Sequence, residues 1–291
     1  MRGIDSVSLG PLITTTELAT ELNAEAPVVV LDTTWALDYE GPNSPLARYR
    51  DGHIPGARHF DFRRVADDSS SLHDTVCSAA AFEAYARELG LSGEHLVCYS
   101  QGRFSSAARA FWLFRLFGHD RVSILDGGMA QWRAQGQRIS TDIPDVAQGK
   151  FVATRRDPLF CDVAGFERAS ASGVQTIDAR PPKFYSGEAD FFAHLDSPAT
   201  GRPGRFEGAL NLSSGAVIRD DGRILPEAKL LQVVKAAGID PFLPSVAACS
   251  LGVGAAAAAF VLYLFGNTDV AVFDGSWEAW STHDHAHLSS S

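Results

Sequence analysis

The segment Val246-Ala-Ala-Cys249-Ser-Leu-Gly-Val-Gly254, running into an alanine-rich stretch over 255–264, puts a thiol between an apolar run and a glycine-bearing turn. The pattern reads as a buried strand, a cysteine, a tight loop and a helix. A sulfur so placed faces a run of backbone N–H groups and the positive end of the following helix. Both favour the thiolate, the nucleophilic form of cysteine. Gly252 and Gly254 let the loop curl with its amides turned inward. Together with Ser250, Leu251 and Val253 they form a nest able to hold an anionic sulfur. A thiolate so held suits nucleophilic, covalent chemistry. Phosphoryl transfer would need an arginine six residues after the nucleophile to clamp phosphate at two points. That position is Ala255, which disfavours a phosphatase. The same segment also suits a buried cysteine ending a core strand.

The elements around this loop occur twice. Leu116-Phe-Gly118 through Asp126-Gly-Gly128 matches Leu264-Phe-Gly266 through Asp274-Gly-Ser276 at a spacing of 148 positions, and the same spacing carries Trp132 onto Trp280. Asp51-Gly52-His-Ile-Pro-Gly56-Ala matches Pro203-Gly204-Arg-Phe-Glu-Gly208-Ala, and Val28-Val-Val-Leu-Asp32 matches Thr176-Ile-Asp178. Three matches in one order at nearly one spacing argue for a duplicated unit. The expected division is a first domain over 1–140, a linker over 141–165 containing Pro144, Gly149 and Pro158, and a second domain over 166–291 that carries the Cys249 loop. In the first copy the periodicity predicts helices over 15–22, 79–89 and 105–117 and strands over 28–31, 95–99 and 122–125. Short apolar strands alternating with helices imply an α/β fold, in which each domain is a parallel sheet with helices on both faces. Sites in such sheets form where strand ends feed helix starts, which is where Cys249 lies. The ungapped spacing of 148 carries Gln101 onto Cys249, so the first copy is expected to lack the sulfur.

Composition narrows the function classes. The chain has 291 residues, enough for two domains at about 150 each. With 45% hydrophobic and 21% charged residues it is ordinary for a globular protein. A net charge of −10 argues against nucleic acid as partner, and an anionic substrate must be drawn by local cations. Cys77, Cys98, Cys161 and Cys249 form no CxxC pair and no metal-ligand spacing, so no metal and no cofactor are expected and a reducing compartment is implied. The start, Met1-Arg-Gly-Ile-Asp5, has no apolar signal core, and the run over 253–266 is too short to span a bilayer. The expected setting is cytoplasmic, with no membrane partner. The tail over 282–287 holds three histidines and reads as a frayed, solvated end.

With these residues in hand, the chain resembles the tandem-domain rhodanese and mercaptopyruvate sulfurtransferase family. Tyr49-Arg-Asp-Gly-His-Ile-Pro-Gly-Ala57, Phe111-Trp-Leu-Phe-Arg-Leu-Phe-Gly118, Asp126-Gly-Gly128 with Trp132, Asp178-Ala-Arg180 and Asp274-Gly-Ser-Trp277-Glu-Ala-Trp280 carry the likeness over nearly the whole length. It implies two rhodanese-like domains. It also implies transfer of a sulfane sulfur from 3-mercaptopyruvate or thiosulfate, through a persulfide on Cys249, to a thiol or cyanide acceptor, with thioredoxin as a further candidate acceptor. Arg180 and Lys183, and His73 (with its neighbour Asp74 as the alternative) and Asp61 in the first domain, are the substrate-binding candidates. Arg180 has an alternative as the ion-pair partner of an acid such as Asp178 or Glu188, and Arg103 is placed to reach the domain interface. His53 reads as a loop-fixing hydrogen bonder, and Trp277 and Trp280 as core or wall aromatics.

The chain also departs from the family pattern. Thiosulfate-using relatives carry basic residues directly after the cysteine, where this chain has Ser250 and Leu251. The serine implicated in mercaptopyruvate-using relatives would fall at Leu251, and their threonine near the loop end is Gly254. The family's substrate-binding arginine, four residues beyond Arg180, is Phe184. The neutral loop leans toward 3-mercaptopyruvate. The lost arginine supports the alternative of a non-catalytic persulfide carrier or interaction module.

Overall fold

The protein, seen in a computed structural model, is described over residues 9–283. The readings of the first residues and of the histidines beyond His283 lie outside the described residues. The first half contains β1 (Leu12–Ile13), α1 (Thr15–Asn23), β2 (Val28–Asp32), α2 (Pro45–Asp51), β3 (Arg58–His59), α3 (Ala79–Glu88), β4 (His95–Tyr99), α4 (Phe104–Leu116), β5 (Val122–Leu125) and α5 (Gly128–Ala134). The second half repeats this plan with β6 (Phe160–Cys161), α6 (Val163–Ala171), β7 (Gln175–Asp178), α7 (Pro182–Tyr185), β8 (Leu210–Asn211), α8 (Glu227–Ala236), β9 (Ser245–Ala248), α9 (Val253–Leu264), β10 (Val270–Phe273) and α10 (Ser276–Trp280). Every strand pair is parallel, and the sheet orders are β1-β5-β4-β2-β3 and β6-β10-β9-β7-β8. The two orders are the same path walked twice. All residues of β4 and β9 are buried, as expected for central parallel strands covered by helices on both faces. The two halves are thus copies of one unit, each a parallel five-stranded sheet.

The halves meet with the symmetry of their duplication. Helices α4 and α9 pack on each other, with the Phe111 and Phe260 rings edge-on at 4.8 Å and the Arg115 guanidinium 4.3 Å over the Tyr263 ring. At the edges, the Val76 amide donates to Asp274 at 2.7 Å and the Ile224 amide donates to Asp126 at 2.8 Å. Val76 and Ile224 are 148 positions apart, as are Asp126 and Asp274. The same bond is therefore exchanged in both directions, the signature of a two-fold interface.

The stretch expected to be linker is more structured than its weak periodicity implies. Its first part straps the first half: the amides of Gly149, Phe151 and Thr154 donate to the carbonyls of Arg87, Leu91 and Phe117, and Phe151 is buried. The edge strand β6 then falls inside 141–165, so the second sheet begins earlier than expected. A two-residue edge strand is too short to carry a period. No helix among the described residues is long and apolar enough to cross a membrane.

Candidate active site

Strand β9 delivers Cys249 directly to the start of α9. Gly252 caps that helix with φ of +79°, a left-handed conformation that L side chains avoid. A Cβ there would also stand 2.7 Å from the Asp274 carbonyl oxygen. Gly254 serves differently: it lies within α9, and a Cβ would stand 3.3 Å from Cys249 Cβ and 3.5 Å from its Sγ. The missing side chain makes room for the sulfur. The backbone amides of residues 250–254 have no acceptor among the described residues, so the turn presents unclaimed donors.

Helix α10 clamps the loop from behind. The Cys249 amide donates to Ser276 Oγ at 3.0 Å, and the Trp277 and Glu278 amides donate to the carbonyls of Cys249 and Ser250 at 2.9 and 3.2 Å. Ser276 Oγ donates to the Phe273 carbonyl at 2.7 Å and lies 3.9 Å from Cys249 Sγ. Ser276 holds φ of +48°, where its first-copy counterpart, Gly128, holds +52°. A serine therefore holds a left-handed conformation where the duplicate uses glycine, a position that sequence reasoning missed.

Cys249 is 5% exposed and opens on a cleft of about 80 Å³ between the halves. The first half lends Trp35, Arg103 and Ser105 to its walls, and the second lends Ala179, Arg180, Pro181, Phe191, Ser214 and the loop itself. A larger cavity, about 260 Å³, lies beside the first-copy loop and is lined by Ser100, Gln101 and Gly102. No cysteine lines it, whereas Cys249 lines the smaller cleft. The other three cysteines are free and buried. Burial pushes the Cys77 thiol up to about 11, Cys161 up to about 12 and Cys98 well above its ordinary value.

The family model for the rhodanese-like domain matches residues 14–135 and again 166–283. The chain belongs to the rhodanese family. It is 32% identical over 283 residues to thiosulfate/3-mercaptopyruvate sulfurtransferase 2 of Arabidopsis thaliana, covering 89% of this chain and 80% of that one. It is 31% identical over 256 residues to 3-mercaptopyruvate sulfurtransferase of Escherichia coli K12, covering 87% and 89%. The crystal structure of SseA from Escherichia coli, described as a 3-mercaptopyruvate sulfotransferase, superposes with a TM-score of 0.80 at 28% identity, covering 92% of this chain and 99% of that one.

In this rhodanese the first-copy counterpart of Cys249 is Ser100, a correction to the expected Gln101. The Ser100 carbonyl accepts from the Met129 amide at 3.1 Å, just as that of Cys249 accepts from Trp277. One strand residue earlier, the Tyr99 and Ala248 carbonyls accept from Thr33 and Ala179 at 2.8 and 2.7 Å. The ungapped spacing fails because α4 has 13 residues and α9 has 12, so the loops register at 149. The Gly102 amide donates to Ser100 Oγ at 3.0 Å, and Ser106 Oγ lies 2.9 Å from it. A loop amide thus donates to the atom that takes the sulfur's place.

Of the four expected substrate residues, only Arg180 lines the cleft. It is 2% exposed. Its Nε and Nη2 grip both Asp178 oxygens at 2.6 to 3.0 Å, Nη2 also donates to the Gly204 carbonyl, and the guanidinium stacks 4.3 Å over Trp277. The structural alternative therefore describes most of this side chain. Lys183 is exposed on α7, its Nζ 4.7 Å over the Phe184 ring, and is not part of the cleft wall. His73 is drawn instead to Glu278, whose carboxylate accepts from the His73 amide at 2.7 Å and sits 2.6 Å from Nδ1. Asp61 caps the 3-10 turn Phe62–Val65 and pairs with Arg63 at 2.6 Å. Asp61 is thus engaged within its own turn, and His73 across the interface between the halves. Phe184, standing in the place of the family arginine, packs edge-on at 5.6 Å against Phe191 in the cleft wall.

Proposed function

We propose that this protein is a sulfurtransferase that carries sulfane sulfur as a persulfide on Cys249. Sulfur transfer is the activity for which its relatives are named. The supporting observation is a single thiol at the floor of the interdomain cleft, beneath a turn whose amides have no acceptor among the described residues. In the first half-reaction Cys249 Sγ attacks the donor's outer sulfur. With 3-mercaptopyruvate the C–S bond breaks and pyruvate leaves as its enolate; with thiosulfate the S–S bond breaks and sulfite leaves. The terminal sulfur of the persulfide is then anionic, and the amides of residues 250–254 stabilise it. In the second half-reaction a thiol or cyanide takes that sulfur and Cys249 returns as thiolate. The uncharged Ser250 and Leu251 favour 3-mercaptopyruvate over thiosulfate. Four free cysteines fit a reducing, cytoplasmic setting, where small thiols and thioredoxin are the acceptors to compare.

The deciding experiment measures pyruvate with sulfide, and sulfite with thiocyanate, for wild type and Cys249→Ser. The variant should lose turnover with both donors; equal activity in the two proteins defeats the proposal. Phe184 in place of the family arginine favours a second reading, a persulfide carrier with slow turnover. That reading predicts a mass gain of about 32 Da on Cys249 after donor exposure without catalytic product release.

A further inference from the structure

We propose that Arg103, supplied by the first half, recognises the anionic group of the sulfur donor and sets donor selectivity at Cys249; the inference rests on the sulfurtransferase reading above. Two cations and no carboxylate line the cleft. One of them, Arg180, has its charge matched by Asp178 in a buried two-point pair. Its Nη1 alone has no hydrogen-bond partner among the described residues, so it can donate to a ligand without adding net charge. Arg103 has no ion pair among the described residues, and its side chain is exposed where it meets the cleft.

The position of Arg103 in the fold supports the same conclusion. It occupies the N-cap of α4, a 13-residue helix, and no side chain caps that end. Serine, threonine, aspartate or asparagine would accept from the first amides there, and an arginine can only donate. It also adds a positive charge to the positive end of the helix dipole. Such a placement works against local stability until an anion arrives to share both. The chain as a whole repels anions through its net charge of −10, so one unmatched cation at the cleft has a task that the global field does not perform. Trp35 and Phe191 flank the space and suit the short carbon body of an α-keto acid better than a bare sulfur oxyanion. Arg103 thus takes over, from the opposite half, the role left vacant where Phe184 replaces the arginine.

The test uses alkylation of Cys249 in the full-length protein, which needs no sulfur transfer. Iodoacetate is anionic and iodoacetamide neutral; in both, Sγ forms a bond to the CH₂ carbon and iodide leaves. Arg103→Ala should lower the iodoacetate rate about tenfold relative to iodoacetamide, the effect of losing one charge-assisted contact. Arg103→Lys should keep most of the preference, and Arg103→Glu should invert it. In steady state, Arg103→Ala should raise KM for 3-mercaptopyruvate about tenfold with kcat within twofold. An unchanged reagent ratio in both Arg103→Ala and Arg103→Glu overturns the inference while leaving Cys249 as nucleophile. A Cys249 inert to both reagents overturns the sulfurtransferase reading together with it. The iodoacetamide rate reports in each variant whether the loop is intact.

Discussion

The exchanged interface bonds set up an experiment with its own control. Asp274 is 3% exposed, accepts from Arg109 Nη2 at 2.6 Å and from the Val76 amide at 2.7 Å. Arg109 is 2% exposed, its Nη1 already lacks a partner, and its Nη2 also donates to the Asp74 carbonyl. Asp274→Ala therefore strands a buried guanidinium, a loss of about 3–5 kcal/mol, and orphans one amide. The duplicate, Asp126, takes only the Ile224 amide and is half-buried, so Asp126→Ala should cost about 1–2 kcal/mol. The expected gap of about 2–3 kcal/mol is large against a typical total of about 5–15 kcal/mol. Urea denaturation followed by both tryptophan fluorescence and far-UV dichroism would read it, the two probes also testing whether the halves unfold together. Replacing both partners, Arg109→Met with Asp274→Leu, should recover much of the loss, because the penalty comes from an unmatched buried charge. Arg109 Nη1 and the Asp274 carbonyl both abut Gly252, so Asp274→Ala should also lower kcat/KM for the sulfur donor, whereas Asp126→Ala should not. If Asp126→Ala proves as damaging as Asp274→Ala, the interface is not organised by this ion pair and the reasoning fails.

Iodoacetamide at pH 8 should label Cys249 alone, since burial holds Cys77 near about 11, Cys161 near about 12 and Cys98 higher still; peptide mapping that finds Cys77 labelled at a comparable rate contradicts this. Gly252→Ala should cost about 2 kcal/mol or more and depress kcat/KM, because it combines a left-handed φ with a Cβ that meets backbone, whereas Gly266→Ala, with φ of +87° and open space, should cost only the roughly 1 kcal/mol of conformation and leave kcat/KM unchanged. His95 is buried beside Ser123, and burial, aided by the Arg121 and His119 charges, lowers it to about 4. The unfolded chain therefore binds that proton first, so stability is fully present above about pH 6.5 and falls as pH drops toward 4, by up to about 3 kcal/mol. Comparing unfolding midpoints at pH 7 and 5 for wild type and His95→Gln checks this, and an equal fall in both proteins excludes His95 as the cause.

Much of the fold was legible because the duplication supplied two readings of each element. Strands 95–99 and 122–125 were located to the residue, since buried parallel strands read as continuous apolar runs. The edge strands β1, β3, β6 and β8 escaped, each only two residues long. The thiol and its turn were legible from local chemistry, whereas the partners of charged side chains were not. His73 and Asp61 have residue types that suit a site, yet His73 is claimed by Glu278 across the interface and Asp61 by Arg63 two residues away. Such pairings depend on which surfaces meet, and spacing along the chain carries no trace of a contact 205 positions long. The one-residue slip at Gln101 has a similar origin: a helix longer by one residue is silent in an ungapped comparison.

The two loops differ in ways that bear directly on the proposed chemistry. Asp32 and Asp178 occupy the same place, each accepting from the amide two residues on, at 3.1 and 3.0 Å. In the second copy that residue is Arg180, which satisfies the aspartate from one side and leaves the loop free to face the cleft. In the first copy it is Thr34, whose hydroxyl meets only one oxygen; the other is met by Gln101 Nε2 at 2.8 Å, which also donates to the Gly52 carbonyl. The side chain following Ser100 is thus folded back to match a buried carboxylate, and the Gln101 amide is taken by Thr34 Oγ1 at 2.9 Å. With serine for cysteine, an alcohol that stays protonated at neutral pH, and with loop donors already engaged, the first loop can neither form nor hold a persulfide. The end of that loop carries Arg103 and Ser105 to the wall of the other copy's cleft, so the half without a thiol at this position helps enclose the half that has one.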